Sequence, residues 1–282
     1  MDDLLIWCRR KLAPLARRVG VQRAARRLYD ELAARRYPAG TLCTAVQNGR
    51  TWRLRREIAE RGAVQEMETI EWLRGVIRPG MTVLDIGANV GQMTLESAAL
   101  VGPNGRVMAV EPGRGNLEFL RQHVEGNGFH DRVTVVPAAC ADEDGGEVTF
   151  FVATETGDAG AVGSGHNIVG QAAIKKQNSQ IQVREVRVPR VSIDGLCRGL
   201  DAPPGVIKID VEGAELMVLR GAGETLRRAR PQVRVGFHPF AFDDPKAASA
   251  ELVGLVERAG YKIEGAVPGQ PLAFAEYNLV PS

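Results

Sequence analysis

The sequence predicts an α/β fold built on a mostly parallel sheet. Two apolar runs, at residues 83–86 and 107–110, flank a glycine-rich turn and a helical segment, which is the order of a βαβ unit. Apolar runs at 133–136, 206–209 and 232–237 alternate with helical patterns, as expected for further strands of the same sheet. A proline- and glycine-rich turn near the end of the chain predicts a closing hairpin. Helices are predicted over residues 57–76 and 214–226, after a cap at Asn116 and after Asp244-Pro245, and Asn48-Gly49 predicts a hairpin turn.

Composition places the chain among ordinary globular proteins. Its 282 residues are 44% hydrophobic and 25% charged, which suits one large α/β domain with extensions. The formal net charge of +2 provides no general case for nucleic-acid binding. No apolar run approaches the roughly 18 residues that span a bilayer, and the first residues lack the basic start of a secretory signal.

The cysteines predict a reducing environment. They are scattered and form neither a C-x-x-C pair nor a zinc-ligand spacing, so a disulfide framework is not expected. Together with the absence of a leader pattern, this predicts a cytoplasmic location. The four residues are Cys8, Cys43, Cys140 and Cys197.

Residues 1–43 are predicted to form a basic helical arm, and residues 44–282 the main domain. The first 36 residues carry ten basic and four acidic side chains. A basic amphipathic helix can lie on a membrane surface or bind an acidic partner. The favoured interpretation is an arm packed on the main domain or on a second copy of the chain, with its arginines in solvent.

The turn after the first strand predicts the kind of ligand. It reads Gly87-x-Asn89-x-Gly91, and Asp85 precedes it by two residues. A dinucleotide-binding turn would carry G-x-G-x-x-G and hold a pyrophosphate, which a carboxylate would repel. The carboxylate suits a ligand with an ammonium and a sulfonium, which describes S-adenosylmethionine. An ordinary βα turn without a ligand is the alternative.

Three blocks carry a resemblance to a known family. Residues 85–91, 110–112 and 206–215, the last containing K-I-D-V-E-G-A-E, resemble the FkbM-type family of S-adenosylmethionine-dependent methyltransferases. The resemblance implies a Rossmann-like class I methyltransferase fold, a mostly parallel seven-stranded sheet whose last strand is antiparallel. The family pattern usually places an acid after the strand that follows the third block, whereas Gly236 and His238 occupy that region here.

Six residues are predicted to bind the cofactor. Glu111, at the end of the second strand, is placed to accept hydrogen bonds from ribose hydroxyls. In methyltransferases of this architecture an acid such as Asp142 can accept from the adenine amine, although a simple turn acid explains Asp142 equally well. The full set is Asp85, Gly87, Asn89, Gly91, Glu111 and Asp142.

A second group is predicted on the acceptor side. Ligands bind at the carboxyl ends of strands in open α/β sheets, so Asp210, Glu212 and His238 should face the glycine-rich turn. The carboxylates could orient a hydroxyl, act as a general base or hold a divalent metal, which is left open but not predicted. Lys208 should lie on the same strand face as Asp210 and lower its pKa, or steer the substrate. Glu215 is a supporting residue, or it simply binds backbone donors or a basic neighbour.

Residues 155–182 are glycine-rich and weakly patterned. A stretch of this length inside a compact domain is uncommon unless it covers a site or is disordered, so it is predicted to be a lid or insertion. His166 lies within it and is weighed as a general base, but a loop histidine is more often polar surface.

The predicted function is methyl transfer from S-adenosylmethionine to a hydroxyl oxygen of a small molecule, sugar or lipid. One alternative is a nicotinamide-dependent oxidoreductase, against which Asp85 and the missing middle glycine argue. The other is a non-catalytic adaptor that binds a membrane surface or a partner through residues 1–36. A contact of the N-terminal arm with a membrane or with a second copy of the chain is compatible with an enzyme as well as with an adaptor.

Overall fold

The computed structural model describes residues 4, 6–8, 11, 22–38, 40–60, 66–154, 166–167 and 182–282. The helices are α1 (Gln22–Arg36), α2 (Arg56–Ala59), α3 (Met67–Val76), α4 (Gln92–Val101), α5 (Arg114–Gly126), α6 (Ile193–Cys197), α7 (Glu215–Arg220), α8 (Gly223–Ala229) and α9 (Pro245–Arg258). The strands are β1 (Leu42–Gln47), β2 (Arg50–Arg55), β3 (Thr82–Ile86), β4 (Arg106–Val110), β5 (Val133–Val136), β6 (Ala139–Cys140), β7 (Glu147–Thr154), β8 (His166–Asn167), β9 (Gln182–Val191), β10 (Pro204–Ile209), β11 (Gln232–Phe237), β12 (Tyr261–Ile263) and β13 (Ala275–Pro281).

The centre of the fold is a seven-stranded sheet in the order β12-β13-β11-β10-β3-β4-β5. The pairs β11–β10, β10–β3, β3–β4 and β4–β5 are parallel. Strand β13 is antiparallel to both of its neighbours, β11 and β12. The predicted class I methyltransferase topology, including the antiparallel last strand, is therefore confirmed.

The sheet is buried on both faces, which explains its continuous apolar runs. All five residues of β3 are buried, including Thr82 and Asp85. One apolar cluster joins one face to α7, α8 and α9, and a second joins the other face to α3, α4 and α5. Helix α9 begins as predicted, because Asp244 accepts from the N–H groups of Lys246 and Ala247 and Pro245 occupies the first turn.

The described part of the N-terminal arm packs against the main domain. Strand β1 crosses the predicted boundary at residues 43 and 44, and the Asn48-Gly49 turn joins it to β2 as expected for a hairpin. Ala33 and Tyr37 lie in one apolar cluster with Leu54 of β2 and other residues of the main domain.

A smaller sheet, in the order β6-β9-β7-β8, branches from the main fold. Long antiparallel pairing joins β7 to β9, and Val152 pairs with His166 of β8. Most of the predicted lid, residues 155–182, lies outside the described residues. The side chain of His166, weighed as a base, also lies outside them.

Two predicted helices differ from the structure. The single helix expected over residues 57–76 is divided into α2 and α3. The helix expected over 214–226 is divided at Gly221, where a Cβ would overlap the carbonyl oxygen of Ala141. Glycine is needed there because the backbone of another segment approaches closely. Within the described part of the chain, no helix combines the length and apolar character required to cross a bilayer.

Candidate functional site

An open cavity lies at the carboxyl edge of the main sheet. Its wall comes from the end of β4, the turns after β3, β4 and β10, the start of α5, and from β6 and β7. The lining residues are Gly87, Asn89, Val110, Glu111, Pro112, Asn116, Ala139, Cys140, Phe150, Asp210, Val211, Glu212 and Ala214. The cavity therefore brings together predicted cofactor residues and predicted acceptor-side residues.

The glycine-rich turn is held tightly against the β10 turn. Gly87 has a φ of +79°, and a Cβ there would overlap the carbonyl oxygen of Asp210. Asn89 and Gly91 also have positive φ, at +52° and +92°. Only glycine satisfies both requirements at position 87, since a side chain would be strained and would force the two turns apart.

Glu111 is a buried carboxylate that organises the turn. Its Oε2 accepts from the N–H of Asn89 at 2.9 Å, and its Oε1 accepts from the N–H of Gly113 at 2.8 Å. Asn116 Nδ2 also donates to Oε1, at 3.2 Å. Burial raises the pKa of Glu111, although these hydrogen bonds oppose the rise. The carboxylate is thus fixed at the cavity wall by three donors.

Asp85 lies beneath the turn and does not line the cavity. It is 1% exposed, and its Oδ2 accepts from Thr94 Oγ1 at 2.5 Å. Lys208 Nζ lies 3.8 Å from Asp85 Oδ1 and donates to the carbonyl oxygen of Gly87 at 3.2 Å. Burial raises the pKa of Asp85, against the opposing effect of Lys208. In this arrangement Asp85 and Lys208 support the turn from below.

Lys208 also pairs with Asp210, as predicted from their positions on one strand face. Lys208 Nζ lies 3.4 Å from Asp210 Oδ2. Burial acts to raise the pKa of Asp210, but Lys208 and His238 outweigh it, so the pKa is lowered. Burial likewise acts to lower the pKa of Lys208, and Asp210 and Asp85 reverse that effect. The predicted ion pair between Lys208 and Asp210 is therefore present.

His238 stands among three carboxylates. Its Nδ1 lies 2.8 Å from Oε1 of Glu215, which also accepts from the N–H of Gly213 at 2.9 Å. Its Nε2 lies 3.7 Å from Asp210 Oδ1 and 3.6 Å from Glu212 Oε2. The alternative interpretation of Glu215, that it binds a backbone donor and a basic neighbour, is confirmed.

The carboxylates decide the charge of this imidazole. Burial acts to lower the pKa of His238, but Glu215, Glu212 and Asp210 raise it to about 9. Burial raises the pKa of Glu212, and Asp210 and Glu215 add to the rise. His238 therefore carries a proton at neutral pH in the protein alone, and a protonated imidazole cannot accept another proton.

Three further residues, Asp142, Asn116 and Phe150, differ in their relation to the cavity. Asp142 is half-buried and is not among the cavity-lining residues, and its Cα lies close to Gly221. Asn116, expected to cap α5, lies inside that helix instead, because Gly113 occupies the cap position. Asn116 and Phe150 both line the cavity and were not predicted to do so. Strand alternation places Phe150 on a definite face of β7, but only the tertiary fold turns that face to the cavity.

A model of the methyltransferase FkbM domain matches residues 85–263, which is more than half of the chain. The chain belongs to this family. The match includes the glycine-rich turn, Glu111 and all acceptor-side residues, so the lining residues of the cavity lie within the family domain.

Several proteins are similar to this FkbM-domain chain. A probable cobalt-precorrin-6B C(15)-methyltransferase (decarboxylating) from Pyrobaculum calidifontis is 26% identical over 167 residues, which cover 58% of this chain and 77% of that protein. A demethylmenaquinone methyltransferase from Symbiobacterium thermophilum is 38% identical over 58 residues, which cover 21% of this chain and 23% of that protein. The crystal structure of an FkbM methyltransferase from Methylobacillus flagellatus KT has 18% identity and a TM-score of 0.44, covering 76% of this chain and 50% of that chain. The similarity thus spans about a quarter of the second protein and half of the third.

Proposed function

We propose that this FkbM-domain protein transfers a methyl group from S-adenosylmethionine to a hydroxyl oxygen of a small-molecule, sugar or lipid acceptor. The observation that carries the proposal is that the glycine-rich turn, Glu111, Asp210 and Glu212 line the same cavity. Cofactor-side and acceptor-side groups are then close enough for direct transfer between two bound molecules.

The residues present fit the cofactor. Two buried oxygens of cavity-lining side chains, Asn89 Oδ1 and Asn116 Oδ1, have no hydrogen-bond partner among the residues that the structure describes. An unpaired buried acceptor is costly, by about 1–3 kcal/mol, so a ligand that brings hydroxyl or amino donors would stabilise this wall. Glu111, Asn89 and Asn116 would hold the ribose, while Gly87 lets the ligand approach the backbone.

S-adenosylmethionine supplies an activated methyl group on a sulfonium when bound. In the transfer, the acceptor oxygen forms a bond to the methyl carbon as the carbon–sulfur bond breaks, and the hydroxyl proton must leave. Asp210 and Glu212 line the cavity and can take that proton. Lys208 acts from below by fixing Asp210 and the Gly87 carbonyl oxygen.

Calorimetric titration with S-adenosylmethionine tests the cofactor. The wild-type chain should bind it in the micromolar range, and Glu111→Ala should weaken binding at least 10-fold, since the variant removes the acceptor at the cavity wall. Glu125→Ala is the matched control, because Glu125 is an exposed glutamate on α5, the helix that follows Glu111. Its affinity should equal that of the wild type.

A parallel titration with NAD separates the alternative functions. Binding of NAD without binding of S-adenosylmethionine would overturn the proposal in favour of an oxidoreductase. Failure to bind either cofactor, in a chain that unfolds cooperatively on heating, would favour the adaptor. In that case, deletion of residues 1–36 should abolish binding to liposomes or to a partner.

A further inference from the structure

We infer that Asp210, Glu212 and His238 form a binding site for one divalent cation of the Mn²⁺ or Mg²⁺ class, beside the cofactor cavity. One oxygen of each carboxylate and one imidazole nitrogen lie within 4.8 Å of one another. The inference rests on the proposed function only for what the cation would do there. The site itself stands on the geometry of the three side chains.

The spacing of the donor atoms suits a shared cation. In an octahedral shell with bonds of 2.0–2.1 Å, neighbouring ligand atoms are about 3 Å apart and opposite ligand atoms about 4.2 Å apart. The Nε2 atom of His238 lies 3.7 Å from Asp210 Oδ1 and 3.6 Å from Glu212 Oε2. Both distances lie between these two values and are too long for a direct hydrogen bond, so a bound cation would draw the three side chains slightly closer together.

The orientation of His238 is that of a metal ligand. Metal-binding histidines commonly donate their second ring nitrogen to a carboxylate, which fixes the ring and increases its basicity. Glu215, which is 0% exposed and lies outside the three-residue cluster, engages Nδ1 of His238 at 2.8 Å. Its position is fixed in turn by the N–H of Gly213. Only Nε2 of His238 therefore faces the two carboxylates.

The local charge calls for more than one positive charge. Three carboxylates, of Asp210, Glu212 and Glu215, surround the imidazole. Lys208 lies at the opposite oxygen of Asp210, Oδ2, and is shared with Asp85. The carboxylates around the imidazole therefore carry more negative charge than Lys208 offsets, and a divalent cation would offset the excess.

The site is also open on the side where further ligands would enter. The side chains of Asp210 and Glu212 are 24% and 39% exposed, and both line the cavity. At Gly236 a Cβ would lie 3.3 Å from Asp210 Oδ1 and from His238 Cε1. Any side chain at position 236 would crowd this face of the cluster, so glycine keeps it accessible.

Three protein ligands leave coordination positions for other oxygens. A cation at this place would bind the acceptor hydroxyl next to the cofactor cavity and lower the pKa of that hydroxyl, which makes loss of its proton easier. Carboxylate-rich sites favour Mg²⁺ and Mn²⁺, and a single imidazole is compatible with both. Mn²⁺ is the better probe because it gives an electron paramagnetic resonance signal.

The test is titration of chelator-treated full-length protein with MnCl₂, in which the resonance signal of free Mn²⁺ is measured. We expect one Mn²⁺ per chain, with at least 100-fold weaker binding in Glu212→Gln and in His238→Gln. Glu215→Gln should weaken binding by about 10–100-fold by disturbing the orientation of His238. Asp131→Asn is the control, since Asp131 is an exposed acid just before β5, at the other edge of the sheet, and should not change binding.

The outcomes separate this inference from the proposed function. Thermal unfolding and calorimetry with S-adenosylmethionine are recorded on each variant, so that a misfolded variant is recognised. If the wild type binds S-adenosylmethionine but neither Mn²⁺ nor Mg²⁺ below millimolar concentration, the cation site is wrong and the methyltransferase proposal stands. If Mn²⁺ binds equally to wild type, Glu212→Gln and His238→Gln, the cluster is not the site. Binding of Mn²⁺ without S-adenosylmethionine would support the cation site and contradict the proposed function.

Discussion

At the scale of single residues, two buried histidines show how surroundings determine protonation. His238 lies among carboxylates that raise its pKa, whereas the ring nitrogens of His123 contact backbone groups. His123 is completely buried, its Nδ1 lies 2.7 Å from the Val90 carbonyl oxygen, and its Nε2 accepts from the N–H of Arg55 at 2.9 Å. A neutral imidazole satisfies both contacts. His123 thus links β2 to the glycine-rich turn.

His123 should make the fold sensitive to mild acid. Burial lowers the pKa of His123 from 6.5 to about 4. Because the unfolded chain binds the proton more readily, the stabilisation is complete above pH 6.5 and is lost as the pH falls towards 4, by up to about 3 kcal/mol. Urea unfolding between pH 7.5 and 4.5 should show this fall in the wild type and a flatter dependence in His123→Gln. Equal pH dependence in the two proteins would contradict the assignment.

For single residues, the sequence predicts which side chains lie at the ends of strands, but it does not predict which groups they bind. The acids at strand ends were predicted because their place follows from the strand pattern. The pairing of His238 with Glu215 and of Lys208 with the Gly87 carbonyl oxygen could not be, since each joins segments brought together only by the fold. Asn116 is an example. An asparagine before a helical pattern predicts a helix cap, whereas in the structure its side chain donates to Glu111.

At the scale of elements, the glycine-rich turn depends on a backbone contact as well as on positive φ. Gly80 and Gly87 have similar φ values of +85° and +79°. A Cβ at Gly80 would meet nothing within 4 Å, whereas one at Gly87 would overlap the β10 turn. The pair therefore separates the cost of backbone strain from the cost of the overlap.

Gly80→Ala should lower the free energy of unfolding by about 1–2 kcal/mol through strain alone. Gly87→Ala should lower it by more, because the β10 turn must also move, and should weaken S-adenosylmethionine binding. Urea unfolding and calorimetry on both variants measure the difference. Equal losses of stability with unchanged binding would show that the two turns do not constrain each other.

Element boundaries were predicted where local chemistry sets them. The Asn48-Gly49 hairpin and the start of α9 depend on turn and cap residues that act within a few positions. The break at Gly221 depends on the approach of Ala141, which is distant in sequence. Sequence patterns contain the first kind of information and not the second.

At the scale of the whole molecule, Arg234 joins the last strand of the sheet to α3. It is 7% exposed, its Nε donates to Glu276 Oε2 at 2.7 Å, and its Nη1 donates to Asn278 Oδ1 at 2.7 Å. Thr69 of α3 also bonds to Glu276. Glu68 lies near the same guanidinium at 3.9 Å but is 92% exposed.

Removing either acid of Arg234 should have different consequences. Glu276→Ala leaves a buried guanidinium without its close carboxylate and should cost on the order of 3 kcal/mol of unfolding free energy. Glu68→Ala removes a distant, solvent-exposed partner and should cost less than about 1 kcal/mol. Chemical denaturation measures the free energy of unfolding of both variants. If Glu276→Ala loses as little stability as Glu68→Ala, then Asn278 and Thr69 suffice to hold Arg234.

The small sheet has a consequence for how this protein can change over evolution. Ala139 and Cys140 pair in parallel with Arg190 and Val191, so the chain departs from and returns to nearly the same point. The segment between residues 140 and 190, whose ends are paired, can be lengthened at a small energetic cost, because doubling the length of a loop adds only about 0.6 kcal/mol of closure entropy. Phe150, which lies in this segment, lines the cavity, while Glu111 and Asp210 lie at the edge of the main sheet. Changes in the segment between residues 140 and 190 can therefore alter what the cavity accommodates without altering the sheet edge.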